Sequence, residues 1–149
     1  MKAIVRDTYC PPDQLRLADV DRPAIGAEDV LIRVHAAGVD QGVWHLVTGL
    51  PYPVRLAGFG LRRPKNPVVG SDVAGRIEAA GARVTGLRPG DEVFGTCDGA
   101  YASFARAGQG SVVAKPSNVT FEQAAAVATS ACAALQALRD KAEVRAGQR

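Results

Sequence analysis

The sequence predicts a mainly β fold, an antiparallel and partly open β-barrel. Three observations point there. Short segments alternate apolar and polar residues, the period-two signature of half-buried strands. Glycine or proline punctuates nearly every break between them. One capped, alanine-rich stretch near the end has helical composition instead. The barrel is expected to carry a short helix near 40–48 and a helical segment near 121–140.

Lys2 to Arg6 begins a strand, Cys10-Pro11-Pro12-Asp13 turns it, and Leu15 to Val20 returns. Arg22 to Gly26 breaks the chain again. Asp29 to Gly38, DVLIRVHAAG, is the clearest strand, with Val30, Ile32, Val34 and Ala36 on one face and Leu31, Arg33 and His35 on the other. His35 shares a face with Arg33 and is expected to be structural or solvated. Asp40 to Val47 reads as a short helix. Asp40 can cap it by accepting bonds from free amides of the first turn, and Gly49 closes it. Leu50 to Asn66 has three prolines, two glycines, two aromatics and no period. That describes a long ordered loop of the kind that binds or covers something.

Asn66 to Gly95 reads as strand, turn, strand. Val73, Gly75, Ile77 and Ala79 alternate with Asp72, Ala74, Arg76 and Glu78. Glycine is costly in a strand, so Gly75 predicts a bulge or a close backbone approach. Arg88-Pro89-Gly90-Asp91 is a tight turn, and Glu92-Val93-Phe94 re-enters the sheet, with Gly95 ending it. Strands are expected over Ala100–Ala105 and Ser111–Ala114, the second stopped by Lys115-Pro116. Thr120-Phe-Glu-Gln123 is a capping box. The helix after it is expected to bury a stripe of Val127, Ala131, Ala134, Leu135 and Leu138, with Cys132 a small buried hydrophobe. Ala125, Ala128 and Ala133 are small enough for another backbone to come close.

The chain has 149 residues, the size of one domain, and can bury a real core. Its 18 basic and 15 acidic residues are dispersed and sum to +3, which argues against a nucleic-acid partner. Arg62, Arg63 and Lys65 form one basic cluster, read as a solvated loop. Three cysteines without a CxxC pair fit neither a zinc ribbon nor a redox motif. Their sparseness, with no secretory leader, fits a reducing cytoplasm. No apolar run suits a membrane-crossing helix.

The spacing of Gly70, Asp72, Gly75, Gly81, Gly90, Asp91 and Val93 resembles the signature of the medium-chain dehydrogenase/reductase superfamily, in its zinc-independent quinone oxidoreductase branch. The resemblance runs in register from Met1 to Arg149. It implies that residues 1–149 form the GroES-like catalytic domain. In the family, the Ala146-Gly147-Gln148-Arg149 turn leads into the first strand of a Rossmann domain, which is expected to be missing here. A dinucleotide site needs GxGxxG between strand and helix. Gly58-Phe-Gly60 and Gly108-Gln-Gly110 supply two of those glycines and no third.

The resemblance implies NADPH as cofactor and a small carbonyl or quinone as substrate. Zinc-dependent relatives place ligands where this chain has Asp40, Ser71-Asp72 and Thr129, a poor set, so no zinc is expected. Asp40, where the zinc-free pattern commonly has Asn, either caps its helix or meets the nicotinamide. Thr129 either bonds the carboxamide or its own preceding turn. His45 and Tyr52 are the candidate proton donors, and Trp44 and Phe59 the candidate pocket walls. Two functions compete. One is the substrate-side half of an NAD(P)H-dependent oxidoreductase, inactive alone. The other is a GroES-like binding or scaffold module without activity. Either is expected to self-associate through the face left bare.

Overall fold

The structure is a computed structural model and describes residues 1–148. Seven strands and two α-helices follow in the order β1 (Lys2–Val5), β2 (Arg16–Asp19), β3 (Asp29–Ala37), α1 (Gln41–Thr48), β4 (Asp72–Ala80), β5 (Glu92–Thr96), β6 (Phe104–Gly108), β7 (Val112–Ala114) and α2 (Phe121–Leu135). A wide helical turn, Gln136–Lys141, continues α2. Strands β6-β3-β4-β5-β7 form one antiparallel sheet, and β1-β2 form a separate ribbon. Single bridges, Ala3 to Ala102 and Val5 to Val68, lace the ribbon to the segments that lead into β6 and β4. The mainly β, partly open barrel predicted from the sequence is therefore what forms. Among the described residues no helix is long and apolar enough to cross a membrane.

The core sits inside the curled sheet. Val30, Ile32, Val73, Ile77 and Val93 are its centre, each at most 2% exposed. Strand β4 is buried on both faces at its start. Val73 points into that core, while Ala74 packs against Ala124 and Ala125 of α2. Gly75 lies beside a register shift in β3 between Val34 and Ala36. A Cβ there would stand 2.2 Å from the Arg33 carbonyl oxygen, so the close approach expected at this glycine is present.

Three expectations are corrected. The strand expected over Ala100–Ala105 begins only at Phe104. Ala100 to Ser103 instead crosses between sheets: Ile4 N–H donates to the Tyr101 carbonyl and Ser103 N–H to that of Lys2. A crossing segment alternates its side chains as a strand does, so the pattern alone does not distinguish them. The stripe expected to bury α2 is also displaced. Val127, Leu135 and Leu138 are exposed, and the buried residues are Ala124 and Ala125. Small side chains let α2 lie close on β4, which fixes the helix rotation from its first two turns. Cys132 consequently lies exposed rather than buried.

Local signals otherwise operate as read. Asp40 Oδ1 accepts from Val43 N–H at 2.8 Å, and Gly49 closes α1 with φ 65°. Both bonds of the Thr120–Gln123 capping box form; such a cap contributes about 0.5–2 kcal/mol. His35 is exposed and stacks on Phe121, with ring centroids 4.4 Å apart.

Candidate functional site

The candidate site begins where β3 ends. Gly38 N–H donates to the Asp72 carbonyl at 3.0 Å, joining the exit of β3 to the start of β4. Gly38 has no room for a side chain, since a Cβ would stand 2.6 Å from the Ala125 carbonyl oxygen and 2.9 Å from Asp72 Cβ. Three elements thus meet at one glycine. Tyr101 reaches the same point, its hydroxyl donating to the Gly38 carbonyl at 2.9 Å. Burial, then the charges of Asp40 and Asp72, push the Tyr101 phenol up, so it stays a donor.

Asp72 is 1% exposed. A buried carboxylate needs partners, and Thr129 supplies two. Its N–H donates at 3.0 Å and its Oγ1 hydroxyl at 2.5 Å. The alternative left open for Thr129, bonding its own preceding turn, is not the one the chain adopts. Since the hydroxyl proton is directed at Asp72, Thr129 Oγ1 offers a ligand lone pairs rather than a donor. Cys97, just past the end of β5, closes the arrangement, its N–H bonded to the Ser71 carbonyl at 2.8 Å. Burial first, then Asp98 and Asp72, push its thiol up to about 12, which makes it inert.

Of the residues expected at the site, Thr129 is tied through Asp72 to Gly38, two residues before Asp40, whose carboxylate caps α1. The remaining four are spread more widely. His45 is half-buried on α1, with Nδ1 2.6 Å from the Leu50 carbonyl oxygen. A carbonyl can only accept, so Nδ1 carries the hydrogen and Nε2 is the nitrogen left for chemistry. Trp44 stands edge-on to His45 at 5.1 Å and is 41% exposed. Tyr52 is 68% exposed beneath the Arg55 guanidinium, at 4.9 Å. Among the described residues no hydrogen bond joins His45 to Tyr52. Phe59, 45% exposed, lines a separate cavity of about 830 Å³ with Gly70, Ser71 and Cys97.

Sequence reasoning missed Asp72 and Tyr101 as members of this arrangement. The available signal was an acid inside the apolar run Val68-Val69-Gly70-Ser71-Asp72-Val73-Ala74. An ionisable group set there must be paired across the fold. The donor set does not fit a catalytic zinc. Asp40 caps α1, Asp72 is held by Thr129, and Ser71 is a poor ligand. Among the described residues no three His, Cys, Asp or Glu side chains group so as to hold a metal ion.

Residues 26–137 match the alcohol dehydrogenase GroES-like domain family. Mouse quinone oxidoreductase is 36% identical across 99% of the chain, which spans 43% of the mouse protein. The quinone oxidoreductase structure from Coxiella burnetii superposes with a TM-score of 0.86 at 30% identity, covering 99% of the chain and 46% of its own. A mycobacterial protein solved in complex with NADPH gives a TM-score of 0.85, again at 30% identity, over 99% of the chain and 43% of its own. The chain spans under half the length of these relatives.

Proposed function

The chain belongs to the alcohol dehydrogenase GroES-like domain family, and from that premise we propose that it forms the substrate-side wall of an NAD(P)H-dependent oxidoreductase acting on a quinone, enone or other carbonyl. The observation that carries this reading is the Asp72–Thr129 pair beside Gly38 and Asp40. It is a fixed polar edge on a backbone with no slack, the kind of rigid support a reacting group requires. The nicotinamide, when bound, supplies the hydride.

The chain's own residues have narrower tasks. Thr129 Oγ1 accepts from the carboxamide N–H, its own proton held by Asp72. His45 presents Nε2, so it donates a proton to a developing alkoxide or enolate only as imidazolium. Tyr52 is the second donor. Trp44 gives an apolar wall for the ring of the substrate beside His45, and Phe59 a wall of the cavity that Ser71 and Cys97 also line.

Steady-state kinetics of the protein with NADPH and a simple quinone test the reading. Tyr52→Phe and His45→Ala separate donor from packing roles. Loss of a donor lowers kcat, and loss of a wall mainly raises KM. If neither variant changes either parameter, the site lies elsewhere. Within these 149 residues no GxGxxG turn exists to hold a pyrophosphate. The hydrogen bonds this wall offers contribute about 0.5–1.5 kcal/mol each, too little to offset the loss of rigid-body freedom on binding. Calorimetric titration of the 149-residue chain with NADPH is therefore expected to give no micromolar binding, and an NADPH-oxidation assay no steady turnover.

A further inference from the structure

Arg6 follows the last residue of β1, its backbone N–H bonded to the Pro67 carbonyl at 3.0 Å. Its side chain turns inward. The residue is 7% exposed, and both Nε and Nη1 are buried without a hydrogen-bond partner, the Tyr9 ring lying 5.8 Å from the guanidinium carbon. Burial pulls the guanidinium pKa down, with Tyr9 and Cys10 acting against that, yet an arginine stays charged in protein. An unpaired buried cation is costly, and fixed burial without a partner is the exception in folded chains.

Arg6 lines the cavity of about 830 Å³ that also holds Phe59 and Ser71. Val68, Val69, Leu46 and Phe104 give that cavity apolar walls. The other side-chain cations around it are paired or lie in solvent. Arg106 is paired with Asp98 at 3.2 Å, and Lys65 is exposed. Asp21 also lines the cavity, but no hydrogen bond joins any carboxylate to Arg6 among the described residues. One unpaired buried cation, apolar walls and a nearby acid favour a monoanion with an apolar body over a phosphate dianion.

We propose that this cavity binds an apolar carboxylate, whose oxygens accept from the Arg6 guanidinium while its hydrocarbon part lies along Val68, Phe59 and Phe104. The site shares Phe59 with the oxidoreductase reading but needs no nicotinamide, and its test uses none, so the failure of one is distinguishable from the failure of the other.

Titration of the protein with benzoate, benzamide and inorganic phosphate, followed calorimetrically and by NMR, tests it. Benzoate is expected to saturate one site. Benzamide has the same shape without the charge and is expected to bind about tenfold or more weaker, the scale of one charge-assisted hydrogen bond. Arg6→Met should abolish the preference for benzoate, and Arg6→Lys should keep part of it. Equal binding of benzoate and benzamide to the unaltered protein would overturn the proposal, whether or not the variants fold. So would the absence of saturable benzoate binding, or tighter binding of phosphate.

Discussion

Asp72 and Thr129 are 57 positions apart and hold each other's polar groups. Asp72→Asn keeps the shape but leaves fewer acceptors for two donors. It is expected to cost about 1–3 kcal/mol, the range for a buried group left unpaired, measured by urea unfolding. Thr129→Val removes the hydroxyl and keeps the N–H bond. Because the two act on one contact, the double variant should cost less than the sum of the singles. A fully additive cycle would mean the contact is not formed. The three thiols provide a second check. Cys132 is exposed, Cys10 is buried, and Cys97 is held up at about 12. At mildly alkaline pH, a disulfide reagent is expected to modify one thiol in the folded protein and all three after denaturation. Rapid modification of Cys97 in the native state would contradict its environment.

Among the elements, α2 depends on how closely it lies on the sheet. Gly38→Ala forces a methyl against the Ala125 carbonyl and Asp72. Overpacking of this kind costs about 1–3 kcal/mol, and here it should also weaken the Asp72–Thr129 bonds, visible as a shifted Thr129 amide resonance. The end of β7 is fastened differently. Lys115, with its side chain only 5% exposed, bonds Glu92 at 3.1 Å and the Val119 carbonyl at 2.8 Å. The hydrogen bond from Lys115, above all, holds the Glu92 carboxyl below its usual range; burial opposes this, and Arg76 adds to it. A depressed carboxylate stabilises above its unfolded pKa, and that contribution fades as pH falls through the folded value. Glu92→Gln should therefore flatten the acid limb of the stability profile. The caps of α1 and α2, and the bulge at Gly75, were legible because their signals are local. The face of α2, the start of β6 and the pairing of Asp72 were not. Each depends on which distant segment arrives opposite, and hydropathy alone does not carry that information. Arg6 was legible only as the end of the first strand, and its burial was not, for the same reason.

For the molecule as a whole, α2 has two unlike halves. Up to Ala128 it is seated on the sheet; from Thr129 onward every described residue is exposed, including Leu135, Leu138 and Val144. Apolar side chains clustered at such a place promote association. The 149-residue chain is expected to show concentration-dependent oligomers in sedimentation velocity, reduced by Leu135→Lys with Leu138→Glu. An unchanged distribution would move the association surface elsewhere. The division of α2 has a further consequence in time rather than space. The Thr129 amide, bonded to a buried carboxylate, is the last one anchored in the barrel, and the helix beyond it is held by its own ladder alone. Short unsupported helices open readily in water. Hydrogen exchange along α2 should therefore step rather than slope: amides through Thr129 exchange only when the barrel opens, while those after Leu135 exchange far sooner, as a separate cooperative unit.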